Sequence, residues 1–290
     1  MSYDGSEFHG WQVQPGHASV QGVLADCLER ITGERLLPQG SGRTDACVHA
    51  LAQVASVRLE APIPERNLIT ALNDILPASV RVTGVEVVGD DFHARHSALA
   101  KTYRYRIYRD EICPPFLAHY VYHYPFPLDE DAMIRASEFV VGTFDFTSFA
   151  ASDPERSRRL AESQEVKQAV LGSPRGNRSP RLRGFAADSD LPDADDEDAT
   201  DSLTLKQGNV RTVHSSIWVR TPEEFSYTIR GNGFLHHMVR NLVGTFLEVG
   251  RGTLCPNDIP AILAARDRSA AGATAPARGL YLVNVEYVES

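Results

Sequence analysis

The 290-residue chain is 42% hydrophobic and 23% charged, enough for a sizeable core and, at this length, for two domains. Its net charge of −9 argues on average against a nucleic-acid partner. Cys27, Cys47, Cys113 and Cys255 are scattered without a CxxC pair, which argues against a zinc site or a disulfide framework and for a reducing cytoplasm. No basic segment leads into an apolar one at the N-terminus, and no apolar run approaches the roughly 20 residues that span a bilayer, so export and membrane insertion are not expected.

In chain order, residues 1–14 carry a turn at Asp4-Gly5 and then Phe8, His9 and Trp11. The spacing of Val20, Val23, Leu24, Cys27, Leu28 and Ile31 predicts an amphipathic helix with Ser19 as N-cap and Gly33 as its stop. Ser41-Gly42-Arg43-Thr44-Asp45-Ala46-Cys47-Val48-His49-Ala50 then places a cation, a carboxylate and an imidazole close together. A carboxylate beside an arginine is held ionised and in place, so Asp45 is the candidate centre of the chemistry. A strand is expected over Val54–Leu59, a helix over Glu65–Leu76 ending before Pro77, and β structure again over Val80–Val88.

Period-two alternation over Lys101–Tyr108 puts Lys101, Tyr103, Tyr105 and Ile107 on one strand face and Thr102, Arg104, Arg106 and Tyr108 on the other. The tyrosines either fill the core or form a stacking platform for bases flanked by cations. Pro114-Pro115 marks a boundary between an N-terminal α+β half, 1–110, and a C-terminal half, 111–290.

Asp129–Val141 is expected to be helical and Gly142–Phe149 an aromatic loop. Periodicity is lost from about 151 to 209, which reads as a disordered insertion. Its eight acidic residues between Asp188 and Asp201 account for nearly all of the net charge, so the remaining body is close to neutral and has room for a basic cleft. The run reads as a solvated appendage; competing with RNA for basic surface is the other reading. Strands follow over Val213–Arg220 and Phe225–Arg230, then a helix over Phe234–Val249 carrying His236, His237, Arg240 and Asn241. Adjacent histidines on a helix are not expected to project together, and no third ligand is suitably spaced, so no metal site is predicted. A short helix over Ile259–Arg266 and a strand over Leu280–Val288 close the chain.

The blocks YDGSEFHGWQVQPG with VQG, SGRTDACVHA, ALNDILP, FHARHSALAKTYRYRI, GNGFLHHMVRNLVGTFLEVGRG and APARGLYLVNVEY, in this order, strongly resemble the tRNA pseudouridine synthase I (TruA) family. The resemblance implies a pseudouridine synthase fold: α+β, two similar halves with mainly antiparallel sheets flanked by helices, and a basic cleft. It implies a cytoplasmic homodimer that needs no metal or organic cofactor and converts uridine to pseudouridine at positions 38, 39 and 40 of the tRNA anticodon stem-loop. A catalytically inactive RNA-binding homologue is the alternative.

By motif position the resemblance makes Asp45 the catalytic aspartate, Arg43 its neighbouring arginine, Tyr103 the active-site tyrosine, Arg240 the cleft arginine and Leu280 a hydrophobic contact. Arg95, Lys101, Arg104 and Arg106 are candidates for the RNA backbone. The residue types suit the reaction. Breaking the C1′–N1 bond of uridine calls for a carboxylate at an anomeric carbon, and uracil leaves as a delocalised anion, so one acid suffices.

The chain departs from the family pattern twice. Cys47 stands where the family has glycine. If that position has positive φ, cysteine costs roughly 1 to 2 kcal/mol there; if not, the change is mild. Only Met1 and Ser2 precede the YDG turn, so the first strand is expected to be short.

Overall fold

Most of the predicted pattern forms in the computed structural model, which describes residues 1–151 and 208–288. The chain runs through β1 (Ser2–Tyr3), α1 (Val20–Thr32), β2 (Gln39–Gly40), β3 (His49–Ala50), β4 (Ala55–Ser56), α2 (Glu65–Ile75), β5 (Val80–Arg81) and β6 (Ala100–Tyr108). It continues through β7 (Tyr122–His123), α3 (Glu130–Glu138), β8 (Gly142–Asp145), β9 (Val210–Arg220), β10 (Glu224–Gly231), α4 (Met238–Gly250), α5 (Ile259–Ala265) and β11 (Leu280–Glu286). The expected insertion lies outside the described residues except at its edges.

Local chemistry sets the helix ends. Ser19 has extended backbone and accepts from the Gly22 N–H, while Gly33 donates back to the Glu29 carbonyl. Helix α2 stops because Leu76, which precedes Pro77, is driven to ψ 143°. Asp129 caps α3 through the Ala132 N–H. The predicted runs over Val54–Leu59 and Val80–Val88 shrink to two-residue strands. The second run leaves Val87 84% exposed, so apolar character there has no layer to pack against. Part of the aromatic loop instead forms β8, pairing with β9.

Among the described residues, nine strands make one sheet in the order β5-β1-β3-β11-β6-β10-β9-β8, with β7 alongside β6. Only β11–β3 and β6–β7 are parallel, so the sheet is mixed but mainly antiparallel, and the class is α+β as expected. The C-terminal strand β11 thus lies between β3, which follows the Asp45 loop, and β6, which carries Tyr103. That insertion brings three distant segments to one place.

On the core side, Trp218 stacks on Phe225 at 4.4 Å and meets Phe246 of α4 edge-on. Buried rings of this size contribute about 0.5–1.5 kcal/mol per pair beyond area burial. Helix α4 is buried on nearly every side, and at Gly244 the 271–275 segment comes so close that a Cβ would stand 1.7 Å from the Ala273 carbonyl oxygen. Thr245 Oγ1 accepts from the Gly272 N–H in the same approach, so this segment is fixed against α4 beside Arg240.

Candidate active site

Several neutral hydrogen bonds secure the Ser41–Ala50 loop. Trp11 N–H donates to the Thr44 carbonyl at 3.0 Å and Cys47 N–H to the Phe8 carbonyl at 3.1 Å. Tyr3 Oη pairs with Thr44 Oγ1 at 2.8 Å, and Gln53 Nε2 donates to the Gly42 carbonyl at 2.9 Å while its Oε1 accepts from Ser41 Oγ. Gly10, at φ 97°, lets the N-terminal segment approach; a Cβ there would lie 2.5 Å from the Thr44 oxygen. The block around Phe8 and Trp11 is therefore the scaffold of the Asp45 loop. Cys47 sits at φ 61°, so the positive-φ case applies and the loop carries about 1 to 2 kcal/mol of local strain at that residue.

Opposite the loop, α4 delivers Arg240. Its Nη1 donates to Asp45 Oδ2 at 2.8 Å and its Nε to the Ala275 carbonyl at 2.8 Å, and its own carbonyl accepts from the Ala275 N–H. Both side chains of the pair are about 15% exposed, so the interaction is shielded more than a surface ion pair, and the carbonyl fixes the guanidinium plane.

The helix predicted from Phe234 begins instead at Met238, because His237 adopts φ 60°, ψ 2°. That left-handed residue corrects the expectation about the histidines. Regular helix would splay His236 and His237, whereas here their rings lie 4.0 Å apart and both Nε2 atoms approach Asp45 at 3.4 Å. Burial first, then the charges of His236 and Arg240, hold His237 below its ordinary imidazole value, against the pull of Asp45. Among the described residues, Asp45, His236 and His237 are the one group of His, Cys, Asp or Glu whose donor atoms are close enough to share a metal ion.

Tyr103 lies on the buried face of β6, its ring edge-on to Phe234 at 5.2 Å. Its hydroxyl is near Gly42, since a Cβ built there would be 3.7 Å from Oη. Burial, then the nearby Tyr3 and Asp45, pushes the phenol well above its usual range. Leu280 is buried at the start of β11 opposite Tyr105, with Leu282 opposite Tyr103, so both leucines share the tyrosines' sheet face.

Lys101 donates through Nζ to the Ser41 carbonyl, and burial, followed by the charges of Arg95 and Arg211, lowers it to about 8. Arg95 and Arg43 are exposed, Arg95 within electrostatic reach of Lys101 and Arg43 on the Asp45 loop. Arg104 and Arg106 are on the face of β6 away from Tyr103; Arg106 is held there by Glu224. Asp45, Arg240, Tyr103 and Lys101 are thus gathered, Leu280 lies on the same sheet face opposite Tyr105, and Arg104 is on the other face.

Sequence reading missed Gln53, Ala275 and Arg211. Ala275 acts through its backbone carbonyl, which leaves no pattern in sequence, and Gln53 through a side-chain amide whose partners are distant or backbone groups. Arg211 opens β9 directly after the aperiodic stretch, and a lone cation there gives no signal.

A family model described as tRNA pseudouridine synthase matches residues 1–97 and 196–288. The chain is 44% identical to the tRNA pseudouridine synthase A of Solibacter usitatus, 40% to that of Moorella thermoacetica and 38% to that of Bacillus licheniformis. Each match covers 99% of this chain and 97% of the relative. The order of the motif blocks, the fold that gathers them and these full-length similarities agree, and the chain belongs to the tRNA pseudouridine synthase family.

Proposed function

We propose that this protein isomerises uridine to pseudouridine in tRNA, at positions 38, 39 and 40 of the anticodon stem-loop, with Asp45 as the catalytic carboxylate. The observation that carries the reading is the shielded Asp45–Arg240 pair, formed by residues 195 apart in sequence and bordered by Tyr103. Among the described residues, the side chains recorded against the Asp45 carboxylate are a guanidinium and two imidazoles, not a second acid. That suits a reaction whose leaving group needs no proton.

The target uridine leaves its stack at a cost of a few kcal/mol and enters the pocket. Asp45, oriented by Arg240, attacks C1′ or stabilises the cation that develops there as the C1′–N1 bond breaks. The uracil anion turns, C5 joins C1′, and the proton on C5 leaves to solvent while N1, freed from the sugar, takes one up, so the product is an isomer. Tyr103 stacks on the base; its raised pKa makes it a poor proton acceptor near neutral pH. Leu280 excludes water that would divert the sugar intermediate to hydrolysis. Lys101, Arg95 and Arg43 meet the RNA backbone, and Arg104 serves RNA only along a path across the other sheet face.

In the same reading the halves 1–110 and 111–290 each supply part of the site, two copies of the chain form the working enzyme, and it acts in the cytoplasm. Among the described residues no helix is long and apolar enough to cross a membrane. The test uses tRNA labelled with tritium at uracil C5. The protein should release tritium to water without forming free uracil. No release from suitable tRNA removes the isomerase reading, and release of free uracil replaces it with hydrolysis.

A further inference from the structure

The two imidazoles at Asp45 have no part in the chemistry above. His236 Nε2 lies 3.4 Å from Oδ1 and His237 Nε2 3.4 Å from Oδ2, longer than the roughly 2.7–3.2 Å of an N–H···O hydrogen bond. All three donor atoms fall within 4.8 Å of one another. Two ligands on a tetrahedral zinc ion at about 2.0–2.1 Å stand roughly 3.3 Å apart, so each imidazole already stands at ligand spacing from one carboxylate oxygen, His236 from Oδ1 and His237 from Oδ2. A small turn of the carboxylate, to face both imidazoles with one oxygen, and closure of the His–His edge complete the site. The left-handed His237 creates this convergence, and His236, with its side chain 60% exposed, leaves the position open to an ion from solvent.

We propose that Asp45, His236 and His237 form a site for a divalent transition-metal ion of borderline softness, such as zinc, cobalt or nickel, and that the bound ion silences the enzyme. Two imidazoles and one carboxylate favour such ions over magnesium, which prefers oxygen ligands in an octahedron and keeps several waters. The magnesium that accompanies tRNA therefore does not fill the site. Each imidazole binds through Nε2 with its proton on Nδ1, and water takes the fourth position. Arg240 remains beside Oδ2, held to the Ala275 carbonyl, and its charge opposes the ion. That opposition makes the site reversible. An ion on the carboxylate denies Asp45 to C1′ of the substrate.

The test uses the full-length protein after chelator treatment. Calorimetry should show one zinc per chain, and cobalt should give the intense visible bands of a four-coordinate site. The double variant His236→Gln/His237→Gln and, separately, Asp45→Asn should each weaken zinc binding at least tenfold. Cys47→Ser should not, although this exposed thiol lies two residues from Asp45 in the chain. Unchanged zinc affinity in the double variant, or loss of binding in Cys47→Ser alone, overturns the site. Circular dichroism of each variant separates lost ligands from lost fold.

Silencing rests on the isomerase reading and has its own measurement. Saturating zinc should lower tritium release at least tenfold, with recovery on adding chelator. The double variant should lose less than twofold relative to its own metal-free rate. Zinc that binds without slowing the wild type overturns the silencing. A wild type inactive without metal counts against the isomerase reading, while the binding experiments still decide the site.

Discussion

The two walls of the site are held in different ways. The Asp45 loop is fixed by neutral hydrogen bonds with Trp11, Phe8, Tyr3 and Gln53 and by one from the Lys101 ammonium, none of which involves the guanidinium opposite. The Arg240 wall depends on a charged side chain, one carbonyl at Ala275 and a left-handed residue at His237. The first wall keeps the loop backbone in place whether or not Arg240 is present; the second orients the Asp45 carboxylate and supplies charge and shape. Changes to the residues that support the loop should therefore act through folding, and changes to Arg240 through rate.

The sharpest way to break this contrast is Arg240→Met. It should cut the single-turnover rate by about 10²- to 10³-fold, as losing a preorganised charged partner does, while leaving tRNA binding within a few-fold. Arg240→Lys should recover little, because an ammonium cannot bond Asp45 and the Ala275 carbonyl in one plane. If Arg240→Met unfolds the loop, seen as a large fall in melting temperature, the two walls are not independent.

Gly244→Ala tests the backing of the helix wall. A methyl has no room against the Ala273 carbonyl, so unfolding in denaturant should show a loss of about 1–3 kcal/mol or more, accompanied by a fall in rate as Ala275 shifts.

A smaller effect is expected from pH. Lys101, lowered to about 8, should lose its charge as pH rises through that value, while an exposed lysine holds its proton to about 10.4. Affinity for tRNA should decline from pH 7 to 9, and Lys101→Arg, which stays charged, should flatten that decline in filter binding. For stability the sign is opposite. The unfolded chain holds the Lys101 proton between about 8 and its ordinary value of 10.5 while the folded chain has released it, so this group favours folding increasingly as pH rises through that window.

The smallest effect is on the loop itself. Cys47→Gly should relieve the left-handed strain at φ 61° and raise stability by about 1 kcal/mol, with activity retained in both forms. A loss of stability would mean that the thiol contact with Ser6 outweighs the strain.

Much of this was legible in sequence because the signals are local. Ser19 and Gly33 frame α1, Pro77 ends α2, and alternation from Lys101 to Tyr108 separates the faces of β6 correctly. Asp45, the proposed catalytic carboxylate, stands out in a charged cluster, and the motif order brings in Arg240 and Tyr103. What sequence could not supply was three-dimensional. Helical periodicity at Phe234–Leu235 extends through His237, but tertiary placement turns that residue left-handed and joins two histidines that a helix would part. The apolar run ending at Val88 has strand-like composition but no neighbouring layer. Ala275 holds Arg240 through its backbone carbonyl, for which residue type is nearly silent, and the Gln53 amide finds its Gly42 partner only once the chain is folded.

The central claim is that Asp45 performs the chemistry within a loop built independently of it. Single-turnover tritium release from C5-labelled tRNA should be measured for wild type and Asp45→Asn, alongside equilibrium binding of the same tRNA. The account predicts release by the wild type, none detectable by Asp45→Asn, and binding by both within a few-fold. Release by Asp45→Asn at a rate near that of the wild type would contradict it.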